Sequence, residues 1–158
     1  MNTTELATPS ECRAAFDVLL AGAHRQLRLY DHDLGLWALD EPARHAALRA
    51  FCVAGGGRRI ECLLDEIDHV ARAHPRLMQL VRDFGHVLEI RQAAPAVPRP
   101  DQAFVLADAR GVLLRADKSA IHGTLHPDDP GQAAPLQQSF EGMWQRAQTH
   151  VSATTLGL

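Results

Sequence analysis

Residues 101–115 read DQAFVLADARGVLLR, and this pattern predicts two short strands joined by a tight turn. The apolar runs 104–106 and 112–114 have the length and composition of buried strands. The segment Asp108-Ala109-Arg110-Gly111 separates them, and a glycine late in such a segment is typical of a hairpin. The stretch therefore predicts an antiparallel strand pair in the last third of the chain.

Helical and strand patterns alternate through the rest of the sequence. Thr8, Pro9 and Glu11 predict a capped helix start, and Asp40 is predicted to cap a second helix. Further strands are predicted over 26–34, 59–64 and 87–90, and further helices over 75–85 and 136–151. Because helices that separate strands imply parallel crossovers, we expect an α/β fold with a mixed, mostly parallel sheet and helices on both faces.

Length and composition indicate one globular domain. We expect residues 1–158 to form it, with a helical segment over 1–24, an α/β core over 25–150 and a tail over 151–158. A net charge of −3 disfavours electrostatic binding to nucleic acid or to an anionic membrane surface. The sequence shows no signal-peptide pattern and no membrane-spanning apolar run, so we expect a cytoplasmic protein. The three cysteines are expected to be buried and reduced.

A family resemblance rests on the same stretch and on the helix near the end of the chain. In the phospholipase D superfamily, the nucleophile motif reads His-x-Lys, then four residues, then Asp, and Asp108 stands at the place of that Asp. The resemblance extends over roughly 25–148, and it implies the α/β fold of one phospholipase D half, here in a small domain of bacterial type. Other matching positions are Gly111, the strand 112–114, Phe140, Glu141, Met143 and Trp144.

The sequence departs from this family at the positions that carry its chemistry. Asp101 stands where the family has its nucleophilic His, and Ala103 stands where it has the Lys that holds the phosphate charge. The positions of the following Gly-Ser-x-Asn motif hold Arg115, Ala116 and Lys118. The resemblance therefore implies a catalytically degenerate domain, or pseudoenzyme, with no catalytic residue and no cofactor. Because the family's active site draws on two halves, the resemblance also implies a homodimer.

Acidic side chains mark the ends of two predicted parallel strands. Asp31, His32 and Asp33 end the first strand, and Asp65 ends the second. In open α/β sheets this edge is where ligands bind, and these groups could hold a ligand or a divalent cation. Alternatively, they end the strands and cap the loops that follow.

Basic side chains beside the hairpin provide a second set of candidates. If the family's phosphate pocket is retained, Arg115, Lys118, Ser119 and His122 are placed to line it, beside Asp108 of the motif; otherwise they belong to a solvated strand end. We expect a non-catalytic binding or regulatory module for a phosphate-bearing ligand or a protein partner. The alternative is a metal-assisted hydrolase or phosphodiesterase that uses Asp31, His32, Asp33 and Asp65.

Overall fold

The computed structural model describes residues 3–95, 98–147 and 149–151. The strands are β1 (Thr4–Leu6), β2 (Gln26–Asp31), β3 (Arg59–Leu64), β4 (Leu88–Gln92), β5 (Ala103–Ala107), β6 (Gly111–Arg115), β7 (Gly123–His126) and β8 (Thr149–Val151). The α-helices are α1 (Pro9–Gly22), α2 (Pro42–Ala54), α3 (Val70–Ala73), α4 (Pro75–Asp83) and α5 (Pro130–Arg146), and a single 3-10 turn covers Gly35–Trp37. None of the described helices is long and apolar enough to cross a membrane.

The strands form one sheet in the order β1-β7-β6-β5-β2-β3-β4-β8. Two of its pairings, β2 with β3 and β3 with β4, are parallel, and the other five are antiparallel. The predicted mixed α/β class is confirmed, but the expectation of a mostly parallel sheet is wrong. The reason is that β5, which follows β4 in the chain, pairs antiparallel with β2. The strands that extend the sheet beyond β5, namely β6, β7 and β1, also pair antiparallel with their neighbours.

Each face of the sheet is covered by its own hydrophobic core, as predicted. On one face, Phe16 and Leu19 of α1 join side chains of α2, α4 and the sheet in the larger cluster. On the other face, Phe140 and Trp144 of α5 pack with Phe104 and other side chains of the sheet. Because its side chains belong to the larger cluster, α1 is part of the same core as the sheet.

Local sequence signals explain where several elements begin. The Thr8 hydroxyl accepts a hydrogen bond from the Glu11 amide at 3.1 Å, and the Glu11 carboxylate accepts one from the Ala7 amide at 3.1 Å. This reciprocal capping box starts α1 as predicted. Asp40 was predicted to cap α2, and that prediction is wrong. Its carboxylate instead accepts hydrogen bonds from the Arg76 and Leu77 amides at the start of α4.

The hairpin between β5 and β6 lets α1 lie close to the sheet. Asp108 and Ala109, the first two of the three residues between β5 and β6, both have positive φ values, 54° and 57°, which match the twist of the strands. A Cβ atom at Gly111 would lie 2.6 Å from Leu19 Cδ2 of α1. Glycine at this position is therefore needed for packing and not for the turn's φ angles.

Several element boundaries differ from the predictions. The strand predicted over 26–34 ends at Asp31, because the chain turns into the 3-10 segment directly afterwards. The last helix, predicted to continue to residue 151, ends at Arg146, and residues 149–151 form β8 beside β4. The short strands β1, β7 and β8 were not predicted. The three cysteines are free and buried, as expected, in α1, α2 and β3.

Candidate functional site

Four chain segments meet at the edge formed by the carboxyl ends of β2 and β3. The segments after β2, after β3 and after β6 all leave the sheet at this edge. β5 runs antiparallel to β2, so the segment that leads into β5 arrives there as well. The sheet topology thus brings together side chains that are far apart in sequence, and two ion-paired carboxylates lie at the centre of this region.

Asp31 forms the more deeply buried of these ion pairs. Its Oδ2 lies 2.6 Å from Arg115 Nη1 and accepts a hydrogen bond from Trp37 Nε1 at 3.2 Å, while its Oδ1 accepts one from its neighbour's backbone, His32 N, at 2.7 Å. Both side chains of the Asp31–Arg115 pair are at most 5% exposed. Burial raises the pKa of Asp31, although Arg115 and the hydrogen bonds to the carboxylate oppose that shift. The other guanidinium nitrogens of Arg115 donate to the carbonyl oxygens of Lys118 and Ala120, so this arginine is fully engaged inside the protein.

Asp65 is surrounded by donors from three segments. Lys118 Nζ lies 2.5 Å from Oδ2, and the Tyr30 hydroxyl donates to Oδ1 at 3.1 Å. Arg99 Nη1 lies 3.5 Å from Oδ1, and His32 Nδ1 lies 3.8 Å from Oδ2. We call Tyr30, His32, Asp65, Arg99 and Lys118 the Asp65 cluster.

Contacts within the Asp65 cluster keep Lys118 protonated. Burial lowers the pKa of Lys118, but hydrogen bonds to Asp65 and to the Tyr30 hydroxyl outweigh burial and raise that pKa above its usual value. Burial raises the pKa of Tyr30, so its hydroxyl remains protonated and can donate to Asp65. The carboxylate of Asp65 therefore occupies a site that presents an ammonium, a hydroxyl and a guanidinium.

The predicted metal-ligand set does not assemble. Asp31 faces Arg115 and Asp65 faces Lys118, so each carboxylate is already neutralised by a cation. Asp33 accepts a hydrogen bond from the Gly35 amide at 2.9 Å within its own loop. Within residues 3–95 and 98–147, no three His, Cys, Asp or Glu side chains are grouped so that they could hold a metal ion.

The hairpin candidates separate into two groups. Arg115 and Lys118 lie at the carboxyl edge, whereas Ser119 donates to Asp117 within the same loop and His122 is exposed to solvent. Asp108 lies at the opposite edge, apart from the other predicted ligand-binding residues. Its carboxylate accepts hydrogen bonds from the amides of residues 24–26 at 2.8–2.9 Å, because β5 ends beside the start of β2.

The positions of the nucleophile motif lie at the edge that holds the ion pairs. Ala103 is the first residue of β5, is fully buried and pairs with Arg115 of β6. The Asp101 carbonyl accepts a hydrogen bond from the Lys118 amide at 2.7 Å. A nucleophile and a phosphate-binding lysine at these two positions would therefore lie beside the two ion pairs.

Sequence reasoning missed three members of this region, namely Tyr30, Trp37 and Arg99. Tyr30 lies in the predicted strand over 26–34 and Trp37 just after it, and each is buried with its polar atom bonded to a carboxylate. A polar contact could have been predicted for Tyr30 and Trp37, because a buried tyrosine or tryptophan usually finds a polar partner. Arg99 lies between prolines in an irregular segment, where no periodic pattern indicates which way its side chain points.

Comparison with solved structures supports a phospholipase D-like fold. The chain superposes on a phospholipase D family member, Nuc from Salmonella typhimurium, with a TM-score of 0.64 and 16% identity over 96% of this chain and 99% of that one. Phosphatidylserine synthase from Haemophilus influenzae Rd KW20 gives a TM-score of 0.60 and 14% identity, over 99% of this chain and 41% of the synthase chain. At these identities, the likeness shows the fold alone.

A third structure of similar fold is that of a DNA-binding protein. TrmBL2, described as an archaeal chromatin protein with a novel mode of DNA binding, gives a TM-score of 0.66 and 15% identity over 94% of this chain. This chain spans only 54% of the TrmBL2 chain. No curated protein matches the sequence. The model of one family, described as a domain of unknown function (DUF7931), matches residues 8–156, and the chain therefore belongs to that family.

Proposed function

We propose that this domain is a non-catalytic binding module on a phospholipase D-like fold, and that it binds a phosphate-bearing ligand at the carboxyl edge of its sheet. The observation that carries the proposal is which residues stand at the two motif positions, 101 and 103. Asp101 and Ala103, which stand at the motif positions that the resemblance implies, provide neither a nucleophilic imidazole nor an ammonium group. The phosphoenzyme of the family's reaction forms on a histidine, and neither a carboxylate nor a methyl group supplies an imidazole at these positions.

The ion pairs support the absence of phosphodiester chemistry. A cation that stabilises a phosphoryl transition state must be free to meet the charge that develops there. Arg115 and Lys118 instead bond to Asp31 and Asp65, and each pair is at least four-fifths buried on both sides. Breaking either pair would leave a buried carboxylate without its counter-ion, which is costly.

Two basic groups remain partly accessible at this edge and could bind a ligand's phosphate. Arg99 is 33% exposed and His32 is 58% exposed at the side chain, and both reach the rim of the Asp65 cluster. Arginine can bind a phosphate through two parallel hydrogen bonds, which suits recognition without catalysis. We therefore propose that Arg99 and His32 make the first contacts with the ligand.

We further propose that the domain acts as a homodimer. The support is the resemblance to a superfamily whose active site draws on two halves, together with the overlap between this chain and 99% of the Nuc chain. A domain that lost the nucleophile could keep the pairing surface.

Hydrolysis of bis(p-nitrophenyl) phosphate tests the non-catalytic assignment. We expect no turnover above the rate in buffer, for wild type and for Lys118→Met alike. Steady turnover that Lys118→Met abolishes, and that Arg110→Met at the opposite edge leaves intact, would show that the domain is an enzyme.

Titration with inorganic phosphate, followed by NMR of the ¹⁵N-labelled chain, tests the binding assignment. We expect saturable shifts at residues beside Arg99 and His32, and affinity about tenfold lower in Arg99→Met, as for the loss of one charge-assisted contact. The matched control is Arg82→Met, which removes the same charge from the exposed face of α4. Equal affinity in both variants would contradict the proposed contact.

A further inference from the structure

A cavity of about 350 Å³ lies between the last turns of α1 and α2. The end of α1 and the residues that lead into β2 form one side of it, and α2 with Arg58, which leads into β3, forms the other. The cavity therefore lies at the amino ends of β2 and β3, opposite the carboxyl edge. It shares no residue with the Asp65 cluster and does not depend on the phosphate site proposed above.

Arg58 is a half-buried cation at the wall of this cavity. Its guanidinium carbon lies 5.0 Å from the centroid of the Phe51 ring, and both residues line the cavity. Within the part of the chain that the structure describes, this guanidinium makes no hydrogen bond and no ion pair. All other described arginines that are buried or half-buried donate to a carboxylate or a carbonyl oxygen, namely Arg13, Arg28, Arg44, Arg59, Arg91 and Arg115.

Three consecutive glycines bring Arg58 to this position. Gly55, Gly56 and Gly57 follow α2 and have φ values of 59°, 68° and 81°, a region that residues with a Cβ atom rarely adopt. The Arg58 amide then donates a hydrogen bond to the Gly55 carbonyl at 3.3 Å. This left-handed turn folds the chain back, so that Arg58 lies against Phe51, which precedes it in α2. The guanidinium is thus held at the cavity wall and does not extend into solvent.

The rest of the wall carries no negative side chain. None of the described residues that line the cavity is an acid, and apart from Arg58 and His24 the lining side chains are apolar. Four of them are alanines, which leave the space between the two helices open. Sites for small molecules are typically apolar cavities of about 300–1,000 Å³ with a few polar groups, and a cation that lacks a counter-ion favours an anion there.

We propose that this cavity binds a small carboxylate that has an apolar body. A guanidinium has five N–H donors in a planar fork and can bind a carboxylate through two parallel hydrogen bonds. None of these donors has an acceptor among the described residues at Arg58. The alanines, Leu20 and Phe51 suit the apolar body, which inorganic phosphate lacks.

Titration of the full ¹⁵N-labelled chain with sodium benzoate, followed by NMR, tests the proposal. We expect saturable shifts of the Arg58 and His24 amides. Acetate has the charge without the ring, and benzyl alcohol has the ring without the charge, so each should bind at least about tenfold more weakly. Arg58→Met keeps an apolar side chain against Phe51, and its affinity for benzoate should fall at least about tenfold, because the charge-assisted contact is lost.

The matched control is Arg49→Met, also in a cation–π contact. The guanidinium carbon of Arg49 lies 5.7 Å from the centroid of the Phe84 ring, and Arg49 does not line the cavity. Its variant should bind benzoate as wild type does. The proposal is overturned if wild type shows no saturable shift, if Arg58→Met binds as tightly as wild type, or if Arg49→Met loses as much affinity. Binding of acetate, benzyl alcohol or inorganic phosphate at these residues as tightly as benzoate would likewise overturn it.

Discussion

At the residue scale, the carboxyl edge consists of acids and bases that neutralise one another. The position of Asp31 and Asp65 at one edge could be predicted, because both follow parallel strands, and Arg115 and Lys118 were expected beside the hairpin. Their pairing could not, since it depends on the strand order, which puts β5 and β6 next to β2. Asp108 lies at the opposite edge, because a motif position in the sequence does not show which end of the sheet the residue reaches.

Removing the Arg115 guanidinium should destabilise the fold strongly. Arg115→Met leaves Asp31 buried without its counter-ion, and we expect the free energy of unfolding to fall by about 3–5 kcal/mol. The control is Arg110→Met, in the turn of the same hairpin, whose pair with Asp128 is more than 60% exposed on both sides. That variant should lose less than about 1 kcal/mol. Urea unfolding measures both, and equal losses would contradict a structural role for the buried pair.

Asp108 should make stability depend on acid pH. Burial raises the pKa of Asp108, but hydrogen bonds from the amides of His24, Gln26 and Arg25 outweigh it and hold the pKa below its ordinary value of 3.8. Its contribution is therefore present above about pH 4 and is lost as the pH falls through the lowered pKa.

Asp108→Asn keeps a side chain that tolerates positive φ and removes the charge. We expect a loss of about 1 kcal/mol at pH 7, as for a lost cap, and a flatter decline of stability between pH 5 and about pH 2.5. Guanidinium chloride titrations over that pH range measure the slope. An unchanged slope, equal to that of the surface variant Asp128→Asn, would refute this role.

At the element scale, the helices were predicted better than the strand connections. Period and capping residues are local signals, and they located α1, α2 and α4 to within a few residues, whereas α5 was predicted over 136–151 and runs from Pro130 to Arg146. The strands β1, β7 and β8 have only three or four residues each, and long-range hydrogen bonds to their neighbours define them. In β1, only Leu6 is buried, so its sequence carries almost no alternating pattern.

Asp40 lies just before α2 in the sequence, but its side chain contacts the start of α4. Its carboxylate caps α4 across a separation of more than thirty residues. Asp40→Ala should therefore cost about 1 kcal/mol and speed amide exchange in the first turn of α4, while amides of α1 keep their protection. The control Asp83→Ala changes an exposed acid at the other end of α4 and should leave that first turn unaffected. Hydrogen exchange followed by NMR distinguishes the two variants.

At the scale of the whole molecule, one sheet separates two cores. Among the described residues, the acidic and the basic candidates meet only at the carboxyl edge, where Asp31 pairs with Arg115 and Asp65 with Lys118. The proposed homodimer would place two such edges in one assembly. Sedimentation equilibrium should give about twice the chain mass of 17.3 kDa, with no dependence on added phosphate. A monomer at micromolar concentration would contradict the dimer but not the phosphate contact, because Arg99 and His32 belong to a single chain.

The three buried thiols give this protein its own chemical reporter of opening. Burial raises the pKa of Cys52 to about 11 and that of Cys62 to about 12, and it also raises the pKa of Cys12. A thiol-specific dye such as Ellman's reagent reacts with thiolate, so at pH 8 it should react with these cysteines only when the chain opens. Mass spectrometry of partly labelled protein would then show whether α1, α2 and β3 open together or one after another, without an engineered probe.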